Sequence, residues 1–225
     1  MKTEPIVAVV LCLCLWCAAA HATPSTLIWI PCTDIQPDKT WHLGVDNYFA
    51  ATAGTRSPTD IGLEYGFLGG RAEAGIDYLG GQDDPLFFNL KYLLTPEKAR
   101  VPALAVGFYN AGTRSRVTDD DMLYLVAGKT FGPARLTLGY CHGKQSTLGQ
   151  DQDMLMAGVD GYLTRDKKWW GAVDYQSGDS AFGALNFGVS YNFTDKISLI
   201  LGYDVYNNRV LNPNNTITTQ LDINF

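Results

Sequence analysis

The chain has 225 residues, of which 46% are apolar, 12% aromatic and 18% charged, and its net charge is −6. An ordinary soluble domain carries roughly 25% charged residues, so this chain is poor in charge while rich in aromatics and glycine. The acidic balance argues against a nucleic-acid binder, which needs a basic face to meet phosphates. A mean hydropathy near zero argues against a bundle of membrane-spanning helices, which needs long apolar runs.

The first 22 residues read as a secretory signal peptide. Lys2 supplies a positive start, Ile6 to Ala20 form an apolar run of 15 residues, and Ala20-His21-Ala22 is a small-x-small cleavage site. The run is short of the about 20 residues that a membrane helix needs. Cleavage after Ala22 leaves 203 residues and removes Cys12, Cys14 and Cys17. Lys2 and Glu4 leave together, so the charge stays at −6. The remaining Cys32 and Cys141 do not make a disulfide framework, and a single bridge between them stays open.

Residues 23–39 come next. Leu27 to Ile30 are apolar, and Pro31 and Pro37 block regular strand pairing. Two placements stay open. The simpler is a periplasmic leader; the other is a cover for the barrel mouth or a plug folded into its lumen.

From Trp41 onward apolar residues recur with a period of two, as strands with one apolar face require. Trp41, Leu43, Val45 and Phe49 share one parity, against His42, Gly44 and Asp46. Ile61 to Phe67, Ala72 to Tyr78, Leu86 to Leu94 and Leu104 to Phe108 repeat the pattern. The sixth segment, Met122 to Thr130, fits either parity. Leu136 to Tyr140, Leu155 to Val159, Trp169 to Tyr175, Leu185 to Phe193, Ile197 to Val205 and Ile217 to Phe225 complete the series. That makes twelve strands in residues 40–225. Outside the sixth segment, the apolar parity contains no Asp, Glu, Lys or Arg. A lipid-facing surface demands such purity, because Arg or Lys at mid-bilayer costs about 2–4 kcal/mol.

The connections alternate between longer segments rich in Asp and Asn and shorter turns. An even strand count puts both termini on one side. Outer-membrane barrels have this layout, with long outer loops and short periplasmic turns. Tyr78, Tyr140, Tyr175 and Tyr203 fall near one end of their strands, and Trp41, Phe67, Trp169, Phe193 and Phe225 near the other. Two aromatic girdles at the headgroup levels follow. Period two alone does not separate a membrane barrel from a secreted barrel or sandwich with its apolar face inward. The terminal Phe, the aromatic ends, the even count and the loop asymmetry favour the membrane. The predicted fold is all-β: a single antiparallel up-and-down transmembrane β-barrel of about 12 strands.

The final run Thr216 to Phe225 alternates and ends on Phe. It resembles the terminal strand of bacterial outer-membrane β-barrel proteins, and no specific family within that class follows from the motifs. The resemblance implies that Phe225 is an assembly signal read by the barrel-assembly machinery. It also implies periplasmic chaperones, outer-membrane lipid and lipopolysaccharide as partners.

With the apolar parity on lipid, the polar parity lines the lumen. Its acids are Asp46, Glu64, Glu73, Asp77, Asp160, Asp174, Asp204 and Asp222; its bases are Arg71, Lys91 and Arg135, with His42 near neutral. Eight acids against three bases leave a lumen of about −5, which favours cations or neutral polar solutes over anions if it is open. The same residues could equally form an internal network that plugs and stiffens the barrel. Glycines on this parity, such as Gly66, Gly75 and Gly188, would relieve crowding inside a curved wall, or mark bulges.

The chain does not read as an enzyme. His42 and His142 lack a Ser–His arrangement, and Asp119 to Asp121 find no matching His at the rim. Asp151-Gln152-Asp153 lacks the Gly and distal Glu of a calcium loop, so no metal or cofactor is expected, beyond weak divalent bridging to lipopolysaccharide. The reading is a small pore or solute channel with an acidic lumen, its solute unassigned. The alternative is a non-conducting structural or adhesion barrel with a plugged lumen.

Overall fold

The computed structural model describes residues 25–50, 58–81 and 84–225. The expected signal peptide and its cleavage after Ala22 lie outside the described residues.

Twelve strands run in chain order: β1 (Trp41–Ala50), β2 (Thr59–Phe67), β3 (Ala72–Leu79), β4 (Leu86–Thr95), β5 (Ala103–Gly112), β6 (Asp119–Phe131), β7 (Ala134–His142), β8 (Asp153–Tyr162), β9 (Trp169–Gln176), β10 (Ala184–Asn192), β11 (Ile197–Tyr206) and β12 (Thr216–Asn224). One short helix, α1 (Gln145–Leu148), lies between β7 and β8. Each strand pairs antiparallel with its sequence neighbours, and β1 closes the barrel on β12. Closure leaves no edge strand with unpaired backbone, which is the condition for crossing a bilayer with strands. At the seam, the Trp41 and Phe225 backbones exchange two hydrogen bonds of 2.8 and 2.9 Å.

The outward parity is the apolar one. Leu63, Ile76, Phe88, Leu138, Val159, Phe187 and Leu201 all project from the barrel surface. Burial resolves the sixth strand: Leu123 and Leu125 face outward, while Met122, Tyr124, Val126 and Gly128 face in. Lys129 therefore sits on the outward parity at the turn end of β6, where it bonds Glu97 at 2.7 Å. A cation is tolerated there because the strand end reaches the polar interface. The triple Asp, read from sequence as loop, enters β6, and Asp119 and Asp120 are buried. The β5–β6 ladder slips between Tyr109 and Ala111, and Asn110 takes a φ of 55° there. Asn tolerates that left-handed conformation, and its N–H is satisfied by Asn89 Oδ1 at 3.0 Å.

Residues 25–37 run inside the barrel. Ser25 to Cys32 form a tight hairpin: Leu27 N–H donates to Ile30 O at 2.9 Å, and Cys32 N–H donates to Ser25 O at 3.1 Å. One isolated bridge, Thr26 to Pro31, is all the pairing it has; proline leaves no donor to extend the ladder. Leu27 and Ile30 have 0% exposure and pack with Cys32 against Ala105, Met122, Val126, Met154, Met156 and Ile200. The barrel thus holds a hydrophobic core of its own, on the inward parity of β5, β6, β8 and β11.

Candidate functional site: the lumen and its inner hairpin

The hairpin is held by lumen side chains as well as by apolar packing. At its tip, Asp174 Oδ2 on β9 accepts the N–H groups of Ile28 and Trp29 at 2.8 and 2.9 Å. Asp174 Oδ1 takes a third bond from Asn186 Nδ2 at 2.7 Å. Gln220 Nε2 on β12 donates to Ile28 O at 2.8 Å. Near the turn end, Lys91 Nζ on β4 donates to Ser25 O at 2.9 Å and Asp34 O at 2.8 Å, and pairs with Glu73 Oε1 at 2.9 Å. Glu73 Oε2 accepts Gln36 N–H at 2.6 Å, and Ser25 Oγ bonds both Glu73 and Glu64. Arg135 grips Asp160 through two bonds of 2.9 and 3.0 Å and reaches Asp34 Oδ1 at 2.6 Å. The bidentate geometry exploits the planar guanidinium.

Two of the inward glycines owe their identity to this segment. A Cβ on Gly66 would collide with the Gln36 and Pro37 carbonyl oxygens. One on Gly158 would strike Leu27. Their small size makes room for the inner chain rather than only relieving wall curvature.

The remaining lumen acids fall into distinct settings. Asp222 Oδ1 lies 3.4 Å from His42 Nε2 and its Oδ2 accepts Ser198 Oγ at 3.0 Å. Asp204 Oδ2 accepts Thr216 Oγ1 at 2.6 Å. Asp77 accepts from Asn89. Asp46 on β1 faces Asp60 on β2 as a direct cross-strand partner. Asp60 lies inside β2, one residue before the alternation visible in the sequence begins at Ile61, so parity alone does not assign it to the lumen. Arg71 corrects an expectation: it is not in the lumen. It sits exposed in the β2–β3 turn, its guanidinium bonded to the Leu93 and Leu94 carbonyls at 3.1 and 2.9 Å and 5.5 Å from the Tyr92 ring centre. The strand has not begun at that position, so parity does not direct its side chain.

The hairpin fills one side of the lumen and leaves the other open. A cavity of about 720 Å³ lies between it and the β1–β4 wall. Lining residues near the loop ends, among them Pro58, Asn110, Val117 and Asn212, place its mouth on the long-loop side. Its floor is the hairpin itself, through Ser25, Ile28 and Trp29. The Trp29 ring is wedged among Tyr48, Tyr206 and Phe182, with centroids 5.7, 5.8 and 5.9 Å away. Its Nε1 donates to Phe182 O at 3.0 Å.

Cys32 and Cys141 are both buried thiols with no bridge between them. Burial pushes the Cys32 thiol up to about 12. The residues weighed for hydrolytic chemistry make ion pairs at the loop end. His142 Nδ1 contacts Asp153 Oδ1 at 2.8 Å, and Lys144 Nζ contacts Asp119 at 2.8 Å and also Asp121. Among the described residues, no group of His, Cys, Asp or Glu is arranged to hold a metal ion.

A family model described as exopolysaccharide biosynthesis protein YbjH matches residues 86–225, more than half of the chain. The chain belongs to this family. The match covers β4 to β12; the inner hairpin and strands β1 to β3 lie before it. No curated protein matches the chain. Among solved structures, it is similar to the KdgM porin, at 10% identity and a TM-score of 0.54, over 83% of this chain and 98% of that one. A KdgM porin in complex with disordered oligogalacturonate matches at 11% identity and 0.51, over 82% and 96%. The outer membrane protein Omp33 of Acinetobacter baumannii matches at 9% identity and 0.50, over 84% and 99%. At such identities the likeness is one of fold: an outer-membrane β-barrel of the porin type.

Proposed function

We propose that this barrel is a channel for small polar solutes of exopolysaccharide biosynthesis, closed in the present state by residues 25–37 acting as a plug. The observation that carries the reading is the cavity that enters from the long-loop end and stops on Trp29. Apart from the bond of Trp29 to the Phe182 carbonyl, the polar anchors of the plug named above are side chains of the lumen wall, so its position is set by the pathway it blocks. The acids of the wall favour cations and neutral solutes. In this reading the signal peptide is cut after Ala22, the periplasmic turns face inward, and Phe225 is presented to the barrel-assembly machinery.

A second reading is a non-conducting structural barrel. The fully enclosed packing of Leu27 and Ile30 favours it. Planar-bilayer recording of the folded chain, beside an Asp174→Ala variant with a loosened plug, separates the two. The channel reading expects brief openings in the parent, long openings in the variant, and reversal potentials that favour cations. Silence in both would leave the structural barrel; anion preference would overturn the acidic pathway.

A further inference from the structure

We propose that the cavity is a binding site for short amine-bearing oligosaccharides and discriminates against uronate-type anionic ones. The inference rests on the glycan reading above for the sugar class, and on the cavity itself for the charge.

Asp46 on β1 and Asp60 on β2 are direct cross-strand partners, Asp77 on β3 sits diagonal to Asp60, opposite Gly62, and all three line the cavity. The nearby cations are engaged elsewhere: Lys91 with Glu73 and two plug carbonyls, His42 with Asp222. None of the three aspartates makes an ion pair among the described residues. Asp60 Oδ1 is enclosed and has no hydrogen-bond partner. Carboxyl groups crowded in this way are relieved by a ligand that brings positive charge and N–H donors.

The cavity also has an aromatic part. Trp29, Tyr48 and Tyr206 cluster next to the carboxyl row, with Tyr48 two positions from Asp46 on the same inward face of β1. Aromatic rings beside convergent polar groups suit a ring with one CH-rich face and polar edges. The volume lies in the range of ligand pockets. Gly44, beside Asp46, leaves the wall hollow: a Cβ there would meet only His42 Nε2 at 3.6 Å and Asp46 Oδ1 at 4.0 Å. Because the carboxyl row and Trp29 precede the family match, this site belongs to the N-terminal part of the chain.

The test is calorimetric titration of the full-length barrel, folded in detergent, with three probes: a glucosamine tetramer, its N-acetylated form and a galacturonate tetramer. The glucosamine tetramer should bind at least about tenfold more tightly than the acetylated one, since acetylation converts charge-assisted bonds to neutral ones. The galacturonate tetramer should not bind. Asp46→Asn with Asp60→Asn should remove most of the preference. Gly44→Leu, which projects into the hollow from a position where a Cβ meets only side-chain atoms, should abolish binding, with folding checked by heat-modifiable gel migration. Equal affinity for the amine and acetyl forms, tighter galacturonate binding, or no binding to the parent barrel would each overturn the proposal. Conductance is a separate readout. Binding without current would sink the channel and leave this site; current without binding would do the reverse.

Discussion

Replacing Asp174 with Ala should release the plug tip. Asp174 is 1% exposed, and its Oδ2 is the acceptor for two plug amides. Without it, the Ile28 and Trp29 N–H groups lose their partner in an enclosed site. A buried donor left unsatisfied costs about 1–3 kcal/mol, so the docked state should weaken by about 2–6 kcal/mol. At 1.4 kcal/mol per tenfold, the undocked fraction should rise at least about 30-fold. Cys32 reports it, because it closes the hairpin with its thiol buried in the barrel core, where burial raises its pKa to about 12. In a Cys141→Ser background, maleimide labelling of Cys32 requires the segment to move, and its rate then follows the open population. The Asp174→Ala variant should label at least about 30-fold faster than its parent, with heat-modifiable migration unchanged. Equal labelling rates in two folded samples would refute the view that Asp174 holds the plug.

Other perturbations probe the same construction. Arg135→Ala should lower the thermal midpoint of the folded barrel. It strands the buried Asp160 carboxylate, and breaking one side of such a pair costs about 3–5 kcal/mol; Arg135→Lys should recover only part, since an ammonium cannot make the two-pronged contact. Leu138→Arg, on the outward face of β7, should cost about 2–4 kcal/mol in vesicles and much less in a soft detergent micelle, measured by urea titration in each. Glu97→Gln tests a charge outside the strands. The bonds from Lys129 and Thr130 hold the Glu97 carboxyl down to about 2, so its contribution to stability is full above its ordinary 4.5 and lost as pH falls from there toward 2. The variant should flatten the pH dependence of amide exchange in the β4–β5 turn, and salt should shrink the difference because the pair is exposed. Deleting Phe225 should lower both the thermal midpoint and outer-membrane accumulation, because it removes the last two seam bonds. Phe225→Leu keeps those bonds and should lower accumulation alone.

The outward face is legible in every strand but the sixth, because lipid imposes one demand on all of them. Leu63, Ile76, Leu138 and Leu201 read as apolar in sequence and stand on the outer surface in space. The inward face was legible only where it was polar. Met154, Met156 and Ile200 also lie inward, so their strands carry apolar residues on both parities. Apolar residues on both parities are the signal of something apolar inside the barrel, and they make the sixth strand fit either parity. Alternation within one strand carries no information on what the opposite wall must pack on. Arg71 lies past the strand end in a turn, where parity no longer directs a side chain.

The low charge and abundant aromatics therefore have two sources, an outer surface made for lipid and an inner core made for residues 25–37. Strand number, antiparallel order and the apolar parity of all but the sixth strand are local properties, dictated by alternation and turn spacing, and the sequence by itself determined them. Where the N-terminal segment lies was decided only by the closed barrel. Its contacts join residues as distant as Ile28 and Gln220, and no local periodicity encodes a contact across a lumen that exists only once β1 has met β12.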